Sequence, residues 1–122
     1  MGKRILLVDD EEDILRVMVH LLESRGYEVI SAADGLDGLE KAKHGNPDLI
    51  ILDVMLPKMD GYKVCKMLKL NEEYKKIPVI LLTARMEEST KELAEELQYD
   101  AYLTKPFDLK TLLLTIKQLL KE

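Results

Sequence analysis

The sequence predicts a single α/β domain over residues 1–122, in which a doubly wound parallel sheet of five strands has helices on both faces. Short apolar runs rich in Ile, Val and Leu recur along the chain, and a stretch with helical spacing follows each run. A length of 122 residues supports one domain with its own core, but not two domains. Because crossovers between parallel strands are right-handed, only a few strand orders remain.

The first part of the chain contains two strand–helix units. Strands are predicted at Ile5–Val8 and Tyr27–Ala32, where apolar residues cluster. Gly26 is expected to end the first helix, and the breaker residues 44–47 to end the second. The spacing predicts the inward faces of these helices, which are Ile14, Val17, Met18, Leu21 and Leu22 in the first and Leu36, Leu39 and Ala42 in the second.

Three further units follow. Strands are predicted at Leu49–Leu52, Pro78–Leu82 and Tyr99–Leu103, and helices at Gly61–Lys69 and Leu109–Leu120. The predicted inward residues of these two helices are Val64, Met67 and Leu68 in the first and Leu112, Leu113, Ile116, Leu119 and Leu120 in the last. Between them, a fourth helix over Glu87–Leu97 has a narrow inward face of Thr90, Leu93, Ala94 and Leu97. We therefore expect the fourth helix to be the least anchored element.

Composition excludes several classes of protein. A net charge of −5 and a pI near 5.1 argue against nucleic acid as a partner of this domain, because phosphate binding needs clustered Lys and Arg. A single cysteine, Cys65, excludes a disulfide framework and is expected to be a packing residue, like Met18, Met67 and Met86. No apolar run reaches the ~18 residues of a membrane helix, and the N-terminal run is too short for a signal peptide. We expect a cytoplasmic protein.

Acidic residues follow two of the predicted strands. In open α/β sheets the ligand crevice lies at the carboxyl ends of the strands, where Asp9 and Asp10 follow the first strand and Asp53 follows the third. Such a cluster is unfavourable without a cation, and oxygen ligands with room for water and phosphate suit Mg²⁺. The other acids of the first run have a simpler explanation, as charges that favour the start of a helix: Glu11 and Glu12 solvated, and Asp13 as the cap.

Thr83 and Lys105 leave the fourth and fifth strands at the same edge. The Lys105 ammonium can pair with Asp53 and with an oxygen of an incoming phosphoryl group, and the Thr83 hydroxyl can bond such an oxygen. Pro106 makes a cis peptide bond after Lys105 accessible, and we predict that isomer here because it would aim Lys105 into the crevice. A carboxylate, a divalent cation, a lysine and a hydroxyl together can transfer a phosphoryl group onto Asp53.

These residues resemble the receiver (CheY-like) domain of two-component response regulators over essentially the whole chain. The matching segments are residues 5–10, residues 52–53 with 56–57 and 59–61, residues 82–84 and residues 102–107. Any one of them is weak evidence, but all four in order are very specific. The resemblance implies a flavodoxin-like strand order of 2-1-3-4-5.

The resemblance also implies the roles of the site residues. Asp53 would accept a phosphoryl group from a sensor histidine kinase, a phosphotransfer protein or a small phosphodonor. Mg²⁺, or Mn²⁺ as a substitute, would be held by Asp9, Asp10, Asp53 and the backbone carbonyl of Met55. The phosphoryl group would be held by Thr83, the backbone of Ala84 and Lys105.

The implied output is a change of surface. Thr83 would move toward the phosphoryl group and Tyr102 would turn inward, which repacks the face of the fourth helix, fifth strand and fifth helix for a downstream protein target. The resemblance implies a signalling domain that assists its own phosphorylation and dephosphorylation, and not an enzyme. We expect a monomer or weak dimer without a membrane partner.

Two features depart from the family pattern. Gln98 and Tyr99 replace a frequent Gly-Ala pair before the fifth strand, which is expected to alter the entry turn and to add an aromatic side chain to the output face. Met55 and Arg85 flank the expected path of water, and their bulk and charge predict a phosphorylated lifetime of minutes or longer.

Four other functions are compatible with the fold class, and the sequence disfavours three of them. A nucleotide-binding protein would need Gly, Ser and Thr amides in the first loop, where five acids stand. An aspartyl-phosphate hydrolase would need an acid at position 55, where Met55 stands. A receiver-fold interaction module without phosphorylation is disfavoured by the complete site. A receiver fragment of a larger DNA-binding regulator stays open, as does a whole protein whose output is a protein contact.

Overall fold

Parallel strands form the centre of the molecule. The computed structural model describes residues 2–84 and 95–122, and within them five strands form one sheet. The strands are β1 (Arg4–Val8), β2 (Glu28–Ala32), β3 (Leu49–Asp53), β4 (Val79–Thr83) and β5 (Ala101–Thr104). Their order is β2-β1-β3-β4-β5, and all four neighbouring pairs are parallel. The predicted fold class and strand order are confirmed.

Helices connect these strands. They are α1 (Glu12–Ser24), α2 (Gly35–His44), α3 (Gly61–Lys69) and α5 (Leu109–Leu120), and residues 95–97 are helical and are labelled α4. Most of the predicted fourth helix, together with Arg85 and Met86, lies outside the described residues. Its end at Leu97 is described, and Leu97 is buried as predicted.

The sheet separates two apolar layers because successive strand residues point to opposite faces. One layer joins Leu6, Ile50 and Leu81 to α2, α3 and Leu97, and the predicted packing residue Cys65 is buried in it. The other layer joins strand residues of opposite parity to α1 and α5, through Met18, Leu22, Leu112 and Ile116. Helices therefore cover both faces, as the continuous apolar runs of the strands indicated.

Three residues predicted to face inward are exposed. Val17 is 64% exposed in α1, and Leu36 and Met67 are exposed in α2 and α3. Each lies at the edge of its apolar stripe, and burial of the neighbouring residues, such as Met18 in α1, is enough to anchor the helix. Asp13 does not cap α1, because the cap position is Glu11.

The boundaries of all five strands differ from the prediction by one or two residues, and the starts of β2 and β5 have a clear structural reason. Strand β2 begins at Glu28 rather than Tyr27. The turn between α1 and β2 contains Gly26, whose φ is +93°. Strand β5 begins at Ala101 rather than Tyr99. The backbone turns at Gln98, which adopts a left-handed φ of +58°, and the Asp100 side chain is used to bind Lys69 and the Val79 amide. One oxygen of Asp100 accepts hydrogen bonds from Lys69 Nζ and from the Val79 amide, both at 2.8 Å.

Candidate functional site

Three carboxylates meet at the carboxyl ends of β1 and β3. Asp9 follows β1 and is fully buried, Asp53 ends β3 and is 3% exposed, and Asp10 is exposed. One oxygen from each lies within 4.8 Å of the other two. A hydrogen bond from the Glu11 amide to Asp9 Oδ1, at 3.0 Å, fixes the orientation of the Asp9 side chain. The register of β1 and β3 thus brings together acids that lie more than forty residues apart in the sequence.

Lys105 crosses from the end of β5 to these acids. Its Nζ lies 2.9 Å from Asp53 Oδ2, 3.3 Å from Asp9 Oδ2 and 3.9 Å from Glu11 Oε1. The Lys105 amide donates to the Thr83 carbonyl at 2.7 Å, which continues the pairing of β4 and β5 past the strand ends. The Lys105–Pro106 peptide bond is cis, as predicted.

Burial and charge act against each other in this cluster. Burial raises the pKa of Asp53, the hydrogen bond and charge of Lys105 oppose that rise, and the charge of Asp9 adds to it, so that the pKa lies above its ordinary value. Burial lowers the pKa of Lys105, but the hydrogen bond from its ammonium to Asp53 and the charges of Asp53 and Asp9 outweigh burial and raise it. Lys105 is therefore a cation at neutral pH, and it balances only one of the three carboxylates.

The loop after β3 holds the second oxygen of Asp53. The Met55 amide donates to Asp53 Oδ1 at 3.2 Å, so the two oxygens of this carboxylate have different partners. The start of α3 lies directly against the end of β3, because a Cβ at Gly61 would lie only 2.2 Å from the Asp53 carbonyl oxygen. Asp60 caps α3 by accepting from the Lys63 amide. A glycine at position 61 thus lets the loop fold closely over Asp53.

The acidic cluster fits a hard divalent cation. Its donors are all carboxylate oxygens, and their mutual separations allow one ion to contact all three residues. Two of these acids, Asp10 and Asp53, face an open crevice of about 330 Å³, whose other lining residues are Glu11, Met55, Ala84 and Lys105. The crevice leaves room for water and for a phosphate-sized group beside the acids.

The remaining predicted residues surround this crevice. Thr83 ends β4, next to the strand of Asp53, and is buried. Ala84 and the exposed Met55 line the crevice itself. Tyr102 lies in β5, half-buried, with its ring centroid 5.9 Å from that of Tyr99. The aromatic neighbour expected from the sequence at position 99 therefore contacts Tyr102.

Glu11 belongs to the site, although the sequence predicts only an ordinary solvated charge at this position. Its side chain is 61% exposed, as expected for a solvated charge, and it also lines the crevice, with Oε1 3.9 Å from the Lys105 ammonium. The available signal was its place directly after Asp9 and Asp10, but no pattern within the chain separates it from Glu12.

Residues 2–84 and 95–122 contain no helix that is both long enough and apolar enough to cross a bilayer.

Comparison with known proteins gives concordant matches. A family model described as "Response regulator receiver domain" matches residues 5–117. The chain is 47% identical over 99% of its length to the alkaline phosphatase synthesis transcriptional regulatory protein PhoP of Bacillus subtilis, covering 50% of that protein. It is also 38% identical over 95% of its length to the protein PilG of Pseudomonas aeruginosa, covering 86% of PilG. The chain thus spans about half the length of PhoP.

Two solved structures show the same architecture. The receiver domain of the sensor histidine kinase PA1611 of Pseudomonas aeruginosa, with a magnesium ion coordinated in its active site cleft, has a TM-score of 0.89 and 30% identity, with all of both chains covered. The chemotaxis protein CheY4 of Vibrio cholerae has a TM-score of 0.88 and 34% identity, over 98% of this chain and 99% of that chain.

Proposed function

Because the chain belongs to the response regulator receiver domain family, we propose that residues 1–122 form one receiver domain that accepts a phosphoryl group on Asp53. Phosphorylation by a histidine kinase is the standard role of this family. The observation that carries the assignment is the contact of Lys105 Nζ with Asp53 at 2.9 Å inside a cluster of three carboxylates. This arrangement provides a nucleophile, a cation for phosphoryl oxygens and a place for a metal ion.

The proposed reaction is a direct transfer. An Asp53 carboxylate oxygen forms a bond to phosphorus while the bond from phosphorus to the imidazole nitrogen of the donor histidine breaks. The electron pair of that bond stays on the nitrogen. The Met55 amide holds one Asp53 oxygen and the Lys105 ammonium the other, so the carboxylate is already oriented before the donor arrives.

Three groups are proposed to hold the transferred phosphoryl group. Lys105 would exchange its contact with Asp53 for one with a phosphoryl oxygen, and Thr83 and the backbone of Ala84 would donate to the other oxygens. Since Asp53 and Thr83 end β3 and β4 and Lys105 directly follows the neighbouring β5, these contacts need only small movements.

Magnesium is the proposed cofactor, with manganese as a substitute. Asp9, Asp10 and Asp53 would hold it together with the Met55 carbonyl oxygen. When bound, such an ion neutralises negative charge on phosphoryl oxygens and so lowers the repulsion between phosphate and the acids. Lys105 alone leaves the cluster negative, which supports the need for a second cation.

We propose that the output is a rearrangement of the α4-β5-α5 face toward a downstream protein. Thr83 would move toward the phosphoryl group, and Tyr102 would turn inward from its half-buried position in β5. Tyr99 contacts the Tyr102 ring, so this chain carries an additional aromatic side chain at the moving position. The kinase, the target and a cytoplasmic location stay predictions.

The phosphorylated state is proposed to last minutes or longer and to be lost by hydrolysis that the domain itself assists. Met55 projects into solvent at the crevice, where it can restrict the approach of water. Loss of the phosphoryl group within seconds at ordinary temperature would contradict this part of the proposal. A DNA-binding role for a longer protein is a second candidate, supported by the similarity to the transcriptional regulatory protein PhoP.

Beryllium fluoride with Mg²⁺ tests the switch, because it forms a phosphoryl-like adduct on a carboxylate. Amide NMR spectra should show large shifts at Asp53, Thr83 and Tyr102, beyond those caused by Mg²⁺ alone. Asp53→Asn should abolish the additional shifts, whereas Asp13→Asn, an exposed acid outside the cluster, should keep them. Shifts confined to the crevice, with none at Tyr102, would contradict the proposed output.

A further inference from the structure

A groove between α1 and α5 lies on the sheet face opposite α2 and α3. It has a volume of about 370 Å³, and its lining consists of four leucines, Tyr27 and three cations. The helices that form it pack in one apolar layer through Met18, Leu22, Leu112 and Ile116. The groove is separate from the phosphorylation crevice, and none of the residues that line the crevice lines it.

Helix α5 carries more leucine side chains than it buries in the core. Leu112 and Ile116 are fully buried, but Leu114 is 58% exposed and Leu109 is also exposed. Leu109, Leu113 and Lys117 are spaced four residues apart, and Lys110 and Leu114 form an adjacent row on the helix. These two rows extend for about 12 Å along the helix axis, or roughly two turns. A strip of this length, in which leucines at 109, 113 and 114 alternate with lysines at 110 and 117, matches a short amphipathic helix lying in the groove.

The groove has an excess of positive charge. Arg25, Lys110 and Lys117 line it, and no carboxylate residue is part of its lining. Among the ion pairs of the described residues, none includes these three cations. Glu122 approaches one wall, where its carboxylate accepts from the Tyr27 hydroxyl at 2.9 Å. A local excess of cations in a chain of net charge −5 indicates complementarity to an acidic partner.

We propose that the groove between α1 and α5 binds an acidic amphipathic helix of a partner protein. The apolar face of that helix would lie on Leu113 and Leu114, and carboxylates along its flanks would pair with Arg25, Lys110 and Lys117. A concave groove between two helices favours a helix over a lipid surface, which is flat. This interaction goes beyond the proposed function, because it uses a surface outside the phosphorylation site and does not require phosphate.

The test uses fluorescence anisotropy with labelled synthetic peptides of two to four helical turns. Their leucines follow i, i+3, i+4 and i+7 spacing, and glutamates flank the leucine stripe. The unphosphorylated full chain is titrated against them. Two double variants with the same change of net charge are compared: Arg25→Glu with Lys117→Glu in the groove, and Lys63→Glu with Lys76→Glu at exposed positions outside it. Leu114→Ser is paired in the same way with Leu70→Ser, since Leu70 is 75% exposed outside the groove.

The proposal expects at least one acidic peptide to bind, while its scrambled and lysine-substituted versions do not. The groove variants should weaken binding at least tenfold, and the control variants less than twofold. Equal loss in both double variants would overturn the proposal, because the peptide would then respond only to net charge. Absence of binding by every acidic peptide at millimolar concentration would also overturn it, and so would binding to anionic phosphatidylglycerol vesicles in place of peptides.

Discussion

Replacing Lys105 by methionine is expected to destabilise the folded chain by about 2 kcal/mol at pH 7 without divalent metal. The ammonium contacts Asp53 at 2.9 Å and Asp9 at 3.3 Å. Each attraction is on the order of 5 kcal/mol at an effective dielectric constant near 20, before desolvation is subtracted. Because burial of the Lys105 ammonium cancels much of this gain, the expected net loss corresponds to a charged hydrogen bond, and Asp9 and Asp53 are left to repel each other.

The assay is urea denaturation followed by circular dichroism in EDTA, with Lys63→Met as the control. Lys63 is exposed, so its substitution should change the free energy of unfolding by less than about 0.5 kcal/mol. Combining Lys105→Met with Asp53→Asn should recover about 1 kcal/mol, because neutralising one carboxylate removes the repulsion. In Mg²⁺ the loss caused by Lys105→Met should shrink, since the ion neutralises the same acids.

Two results would refute this reasoning. If Lys105→Met were as stable as the Lys63→Met control, hydration would already offset the repulsion between the Asp9 and Asp53 carboxylates. An additive double variant, with no recovery from Asp53→Asn, would mean that Asp53 and Lys105 do not interact energetically.

Three further predictions concern other parts of the chain. Free Mg²⁺ at a few times its dissociation constant should raise the unfolding free energy by about 1 kcal/mol. In thermal melts, Asp53→Asn should reduce this gain and Asp10→Ala should nearly abolish it. An unchanged gain in Asp10→Ala would mean that Asp10 is not part of the metal site. Gln98→Gly should stabilise the fold by about 0.5–1 kcal/mol, because φ is +58° at this residue; Gln98→Ala should give no gain in the same melts, and equal stability of the two variants would contradict the strain. Burial and the hydrogen bond to Glu122 raise the pKa of Tyr27 to about 12. The contribution of this shift to stability is complete below the ordinary value of 10.0 and is lost as pH rises toward 12. Tyr27→Phe should flatten the pH dependence of urea unfolding between these pH values, and an unchanged slope would contradict the shift.

The strands were the most predictable part of the fold. A buried parallel strand is apolar on both faces, so runs such as Leu49–Leu52 stand out in the sequence without any information about neighbouring elements. The helix faces were less predictable, because apolar spacing does not give the width of the buried stripe. Val17 and Met67 extend the pattern of their helices, yet both are exposed.

The start of β5 shows why boundaries escaped prediction. Tyrosine is a residue type that strands favour, so Tyr99 was predicted to start β5. The backbone instead turns at Gln98, and the Asp100 side chain binds Lys69 from α3. That pair joins residues 31 positions apart, and nothing local in the sequence indicates it. The Lys69 ammonium also donates to the Lys75 and Ile77 carbonyls, so a buried lysine anchors the loop before β4.

The candidate site was predictable because sheet geometry supplies the missing information. Once the strands are parallel, their carboxyl ends must meet at one edge, and Asp9, Asp53, Thr83 and Lys105 follow as neighbours. Distances and electrostatic balance were not accessible in this way. The 2.9 Å contact between Lys105 and Asp53 depends on the shape of the loop after β5.

The most direct test of the central claim is the intact mass of the protein after incubation with acetyl phosphate and Mg²⁺. Phosphorylation of Asp53 predicts a gain of one phosphoryl group in the unaltered chain and in Asp13→Asn, and no gain in Asp53→Asn or without metal. The same gain in Asp53→Asn would place the phosphoryl group elsewhere, and the absence of any gain in the unaltered chain with Mg²⁺ bound would contradict phosphoryl transfer from this donor to Asp53.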